Sequence, residues 1–377
     1  MRLESLTLIR VAMPLVRPFT TSFGSQSARE VLLACADIGG IQGWGECVAM
    51  SEPVYNAEYV DGVEQVLVHH LVPRLMAVDD FAIEDVGTIL RPILGHHMAK
   101  ATIETALLDA WLRSQGQSLA NYLGATKDRV LCGVSVGIAP TTQALLEEVD
   151  GYRQEGYRRI KLKIQPGWDV EPVRLVRALI GPDLPLTVDA NRAYDRQNMR
   201  TLTALDEYNL QMIEQPLPED DIAGHVQLAQ LLTTPLCLDE SICSTLDAVD
   251  AIERGACRIV NIKPGRVGGY LESTRIHDAC AQRSIPVWCG GMLETGIGRA
   301  ANLALAALPN FTLPNDTSAS ARYYRRDLTE PFVLQDGSIA VPQGPGIGVA
   351  IDLDMLQDSM TARRHIERGA LTTPNGR

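Results

Sequence analysis

Short apolar runs recur at a nearly constant interval through the middle of the chain, and each one ends on a charge. They cover residues 159–164, 184–189, 210–214, 235–239 and 258–263, and the charges are Lys163, Asp189, Glu214, Asp239 and Lys263. Successive charges stand 26, 25, 25 and 24 residues apart, about the length of a strand, a turn, a helix and a return loop. The runs are rich in Leu, Ile and Val and are followed by Pro, Gly, Ser or Asn, as parallel strands buried on both faces are. Between them, residues 202–208, 222–232, 246–254 and 270–282 carry apolar positions three and four apart, the spacing of one helical face. Residues 130–138, 285–289 and 311–313 add three candidate strands, and 298–308 a last helix. Eight strands separated by seven helices predict an α/β fold, a modified TIM barrel of the form (β/α)7β over residues 126–324.

The remaining residues must fold elsewhere. Alternating patterns at 3–13, 31–38 and 41–48 predict strands, and 98–113 a helix with Ile103, Ala106, Leu107, Ala110 and Trp111 on one face. Residues 1–125 thus read as an α+β capping domain. It is completed by 325–377, where 332–334 and 338–341 look like strands and 370–377 have the composition of a disordered tail. Of the 377 residues 46% are hydrophobic, enough for a large core, and the net charge is −12. That charge gives no basic stripe for nucleic acid or anionic lipid, so the expected partner is a small molecule. Without a long apolar run or a signal pattern the expected place is the cytoplasm. Eight cysteines scattered without metal-type pairs agree with a reducing compartment. A homo-oligomer is expected.

In a barrel of this kind the charges at the strand ends face the C-terminal rim, where the active site forms. Three carboxylates in register, Asp189, Glu214 and Asp239, repel one another and need a hard divalent cation. An all-oxygen set with room for water suits Mg²⁺, with Mn²⁺ an alternative, rather than Zn²⁺. Each Asp alone would more often be a helix N-cap; a Glu in the middle of the series is not explained that way. Lys161 and Lys163 lie two apart and share a face of one strand. The bland reading is an exposed amphipathic strand with Arg159. Inside a barrel, two lysines on one face are tolerable only near the rim, where each disfavours the other's charge and makes a neutral base accessible. Lys263 arrives four units later, across the barrel from Lys163.

The motifs Lys161-Leu162-Lys163, Asp189-Ala190-Asn191, Glu214-Gln215-Pro216, Asp239-Glu240-Ser241 and Asn261-Ile262-Lys263 together resemble the enolase superfamily, in its muconate lactonizing enzyme subgroup. Within it, residues 263–269, 290–294 and 308–320 are similar to the o-succinylbenzoate synthases that also racemise N-succinyl or other N-acyl amino acids. It is already established for that superfamily that a Lys or His base works with Mg²⁺ on an enediolate. The resemblance implies Asp189, Glu214 and Asp239 as metal ligands and Mg²⁺ as cofactor. It implies Lys163 as the base that takes a proton α to a carboxylate, assisted by Lys161. Lys263 is implied as a supporting cation in dehydration and as the second acid or base in racemization, with Arg266 tuning it. Asn191, Glu240, Ser135, Gly291, Met292 and Glu294 are implied as substrate-binding or supporting residues. Residues 17–24, with Phe19 and Phe23, and 44–50, with Met50, read as two mobile loops over the barrel mouth; Phe19 and Phe23 could equally pack between domains. A dipeptide epimerase, a Schiff-base aldolase and a non-catalytic binding protein are the competing readings. The first would carry Asp-x-Asp where Pro314-Asn315-Asp316 stands, the second needs no carboxylate triad, and the third needs neither lysines nor triad.

Overall fold

The computed structural model describes residues 1–369; the tail expected at 370–377 lies outside the described residues. The first 47 residues form three antiparallel strands, Ser5–Thr21, Gly24–Ile38 and Ile41–Cys47. A strand near the other end of the chain, Met360–Glu367, pairs with the first, from Ser5 opposite Glu367 onward. The sheet order is therefore last, first, second, third, so that residues 360–367 are hydrogen-bonded beside residues 5–11. The expected strand at 332–334 is irregular instead, while Ser338–Ala340 pairs antiparallel with Arg129–Leu131.

One face of this sheet is covered by the helix His97–Gln115. Most of that helix's residues are buried, its polar Thr102, Glu104, Thr105 and Asp109 among them. Close contact is possible because Gly43 and Gly45 face it from the third strand: a Cβ on either would fall 2.0 Å from Ala110 N or 2.1 Å from Thr102 O. The helix stops at Gly116, whose φ of 63° is left-handed and cheap only for glycine.

The rest of the chain is a curled parallel sheet of seven strands in sequential order: Val134–Val136, Ile160–Lys163, Leu186–Asp189, Met212–Glu214, Leu236–Leu238, Ile259–Ile262 and Val287–Cys289. The predicted strand 130–138 is split at Cys132 and Gly133. Its first part joins the small antiparallel pair and only its second enters the barrel. The eighth position is held by single bridges, Phe311 to Val287 on one side and Asn315 to Cys132 on the other. Pro314 lies between them without an N–H to donate, which keeps the segment from forming a full ladder. Seven connections surround the sheet, and the third, Met199–Tyr208, is a 3₁₀-helix.

Inside the barrel, Met212, Cys237, Ile259 and Trp288 form a small apolar cluster closed by Leu313. All four are nearly or wholly buried, and Trp288 fills the floor on which the polar site rests. Burial of each such side chain contributes about 1.5–3 kcal/mol.

Candidate active site

Strand parity places the site. On Ile160–Lys163, Lys161 and Lys163 point into the barrel with Arg159 just before them, and all three are buried at 3%, 8% and 0% exposure respectively. An exposed amphipathic strand is thereby excluded. Nor do the aspartates cap helices. The helix after Asp239 is capped by Ser244, whose hydroxyl accepts from Asp247 N, and the one after Asp189 begins only at Met199.

The register shows how the charges meet. Lys163 lies opposite Asp189 and Asp189 opposite Glu214. Glu214, however, faces Cys237, two residues before Asp239, and Cys237 faces Ile259, four before Lys263. The offset grows as strands tilt around a barrel, at about one residue per strand for eight strands and a shear of eight. The charges therefore share a height along the barrel axis although they are out of step along the hydrogen-bond ladder.

Each carboxylate is held by cations. Lys163 Nζ donates to Asp189 Oδ2 and Asn191 Oδ1, both at 2.6 Å. Lys161 Nζ reaches Glu214 Oε2 at 3.0 Å, Asp189 Oδ2 at 3.4 Å and Asp316 Oδ2 at 2.7 Å. Asn261 Nδ2 donates to the other Glu214 oxygen at 2.6 Å. Lys263 Nζ donates to Asp239 Oδ2 at 2.7 Å, while Arg266 and the Tyr55 hydroxyl bond Oδ1. Among the described residues no three His, Cys, Asp or Glu side chains are gathered into a ready metal cage; the carboxylates turn to the lysines instead.

These pairings divide the lysines. Burial pushes Lys163 below its ordinary value, against the pull of Asp189 and with the charge of Lys161 adding to the fall. Burial also opposes the charge of Lys161, but Asp316, Glu214 and Asp189 outweigh it and hold it up. Lys263 is likewise held up against burial, by Tyr55, Glu240, Glu214 and Asp189. Glu214 and Glu240 are raised by burial and then by the charge of Asp189.

A cavity opens above these groups. Lys161, Lys163, Lys263, Asn191, Ser135, Gly291, Met292, Phe19, Phe23 and Met50 all line it, together with Tyr55, Asp316 and Arg29, which the sequence reading did not single out. Three expected residues stand behind the wall. Glu240 accepts from Asn191 Nδ2 at 3.1 Å. Arg266 lies beneath Asp239, with Nε donating to Ile242 O at 2.6 Å. Glu294 accepts from Met292 N at 2.9 Å and from Asn302 at 3.0 Å, bracing the loop from within. The capping elements differ from the expected loops. Residues 17–24 are largely strand: pairing resumes past an irregularity after Pro14, with Phe19 opposite Gln26 and Thr21 opposite Gly24. Trp44 to Cys47 belong to the third strand, so only the segment after Cys47 is a loop. Phe19 also packs edge-on against Tyr323.

Strain concentrates here. Asn191, Arg192, Gln215 and Leu293 have φ of 41°, 65°, 37° and 61°, left-handed values that cost a non-glycine residue about 1 kcal/mol or more and often mark functional turns.

Lysines that face one another over buried carboxylates in a barrel, under a cap that supplies part of the wall, define a barrel enzyme with a site built for acid–base chemistry. The chain belongs to the enolase superfamily: residues 4–124 match the mandelate racemase / muconate lactonizing enzyme N-terminal domain, and residues 144–355 the enolase C-terminal domain-like family. It is 57% identical over 363 residues to an N-succinylamino acid racemase of Amycolatopsis sp, covering 96% of this chain and 99% of the relative. It is 47% identical over 368 residues to an o-succinylbenzoate synthase of Geobacillus kaustophilus, covering 97% and 95%. A solved enolase superfamily member from Listeria innocua superposes with a TM-score of 0.94 at 38% identity, over 98% of this chain and all of that one.

Proposed function

We propose that this chain is an o-succinylbenzoate synthase with N-succinyl (N-acyl) amino acid racemase activity. Both reactions would begin by removing the proton α to a carboxylate. The observation that carries this reading is the placement of Lys163 and Lys263, four strands apart and so on opposite sides of an eight-position barrel, lining one cavity beside three carboxylates. The names of the two relatives support its two halves.

In dehydration of 2-succinyl-6-hydroxy-2,4-cyclohexadiene-1-carboxylate, Lys163 takes the α-proton and delivers it to the departing hydroxyl on the same face. Water leaves and the ring becomes aromatic. Asn191 aims the Lys163 amine through its 2.6 Å contact. Lys161, held cationic by Asp316 and Glu214, neutralises the substrate carboxylate, and Lys263 remains a cation. In racemization Lys263 protonates the opposite face, and the roles reverse for the other enantiomer. Arg266 shares Asp239 with Lys263 and so weakens the hold of that carboxylate on the lysine's proton.

Asp189, Glu214 and Asp239 would hold Mg²⁺, with Mn²⁺ as the alternative. The residues fit such an ion: all three are acidic and fully buried, and Glu214 is pushed above the ordinary range by burial and by Asp189, a crowding that a hard cation relieves. Bound there, the ion supplies positive charge to the substrate carboxylate as negative charge develops on it.

The domain limits we propose remain 1–125 with 325–377, and 126–324. No helix among the described residues is long and apolar enough to cross a membrane, and all eight cysteines are free, seven of them buried; the cytoplasm is the compartment we propose. A homo-oligomer is the assembly we propose.

The test is a pair of assays on one purified sample, following dehydration by absorbance and racemization by polarimetry. EDTA should abolish both, and Mg²⁺ or Mn²⁺ restore both. Lys163→Ala should lose at least about 10³-fold in each. Full activity in metal-stripped protein, or in Lys163→Ala, would overturn the proposal.

A further inference from the structure

Four cations line the cavity: Lys161, Lys163, Lys263 and Arg29. Each lysine is answered by at least one carboxylate. Arg29 is not. It is 3% exposed, its Nη2 donates to the backbone oxygens of Val48 and Ala49 at 3.0 and 3.1 Å, and its Nη1 donates to Gln26 Oε1 at 3.3 Å. Its Nε has no partner, and among the described residues no carboxylate oxygen lies within 4.0 Å of the guanidinium. A buried charge answered only by neutral acceptors is costly, and a planar guanidinium with spare donors is suited to a carboxylate. Gln26, which also lines the cavity, adds an amide whose Nε2 is engaged only by the Met50 sulfur at 3.9 Å.

We propose that Arg29 is the counter-ion for a second, distal carboxylate of the substrate. The cavity then selects dicarboxylates, with one carboxylate at the lysines and metal-ligand residues and the other at the capping-domain wall. This rests on the proton-abstraction reading above, and the terminal carboxylate of a succinyl group is the chemistry that fits. The competing role is structural: Arg29 as a bracket for the backbone at Val48 and Ala49, holding Met50 in place.

Racemization of an N-succinyl amino acid, compared with its neutral isostere bearing a terminal carboxamide, separates the two. The wild type should favour the dicarboxylate. Arg29→Gln should raise KM for the dicarboxylate about 10- to 100-fold, the range expected for losing a charge-assisted contact, with kcat within about threefold. The carboxamide substrate should change less than about threefold, and Arg29→Lys should recover most of the dicarboxylate preference. Equal losses on both substrates would leave only the bracket and overturn the proposal, as would no loss on either. If wild-type protein turns over neither substrate, the functional reading falls separately. Calorimetric binding of o-succinylbenzoate and its terminal amide to wild type and Arg29→Gln then makes the same contrast without turnover, and absence of a wild-type preference for the dicarboxylate overturns the role of Arg29.

Discussion

Lys163 and Lys263 are the same amino acid in one cavity, yet their surroundings push them in opposite directions. Burial lowers Lys163, whereas Tyr55 and the carboxylates Glu240, Glu214 and Asp189 hold Lys263 up in spite of burial. The proton is thus held less tightly on the Lys163 face than on the Lys263 face. Inversion at carbon needs both faces; a syn elimination runs from one. Lys263→Ala should therefore lose racemization by at least about 10³-fold, yet in D₂O it should still exchange the α-proton of the one enantiomer that presents it to Lys163. Proton NMR that found both enantiomers exchanging equally would refute the two-lysine arrangement. At this scale the sequence was legible where a residue ended a repeated pattern, as the five spaced charges did. It was silent on residues recruited from far away. Tyr55 meets Asp239 across 184 positions. Asp316 is held near 2 by Arg159 and Lys161 against burial, and its partner Arg159 lies 157 positions earlier.

Strands with one alternating face were readable; strands that leave the core were not. Alternation in the first hairpin is legible only up to residue 13 and from 31, because beyond that its positions become largely exposed and Pro14 and Pro18 break the pattern. Pairing there is set by the partner strand, not by a hydrophobic stripe. The eighth barrel position likewise shrank to two bridges. Glycines on the third strand carry a fact no periodicity reveals, namely backbone-to-backbone approach with the helix His97–Gln115. Gly45→Ala must push Thr102 O away and should cost about 2–4 kcal/mol, as overpacking against main chain does. Gly39→Ala, with open space around it but φ of 65°, should cost only about 1 kcal/mol. Urea unfolding of the two variants decides it: equal losses would mean that the helix can yield and the packing is looser than described.

The cap and the barrel are joined through buried carboxylates that sit at barrel helix N-termini. Glu46 accepts from Thr295 N and Oγ1 at 2.9 and 2.6 Å and from Gly298 N at 2.8 Å, at the start of the helix Gly296–Ala306. Glu104 accepts from Leu271 N at 3.1 Å, at the start of Tyr270–Gln282. Burial pushes each from 4.5 up to about 7, outweighing those hydrogen bonds, and Glu294 adds like charge beside Glu46. The native state thus binds more protons than the unfolded chain between these two values. The stabilisation is fully present below about pH 4.5 and is lost as pH rises through about 7, on the order of 1–3 kcal/mol per group. Glu46→Gln keeps an acceptor oxygen for Thr295 and cannot titrate. Its unfolding free energy should match the wild type near pH 5, exceed it near pH 8, and fall less steeply in between. A wild-type profile that rises across this window, or identical slopes in both proteins, would show that the interface carboxylates stay ionised and that the junction between cap and barrel does not loosen with pH.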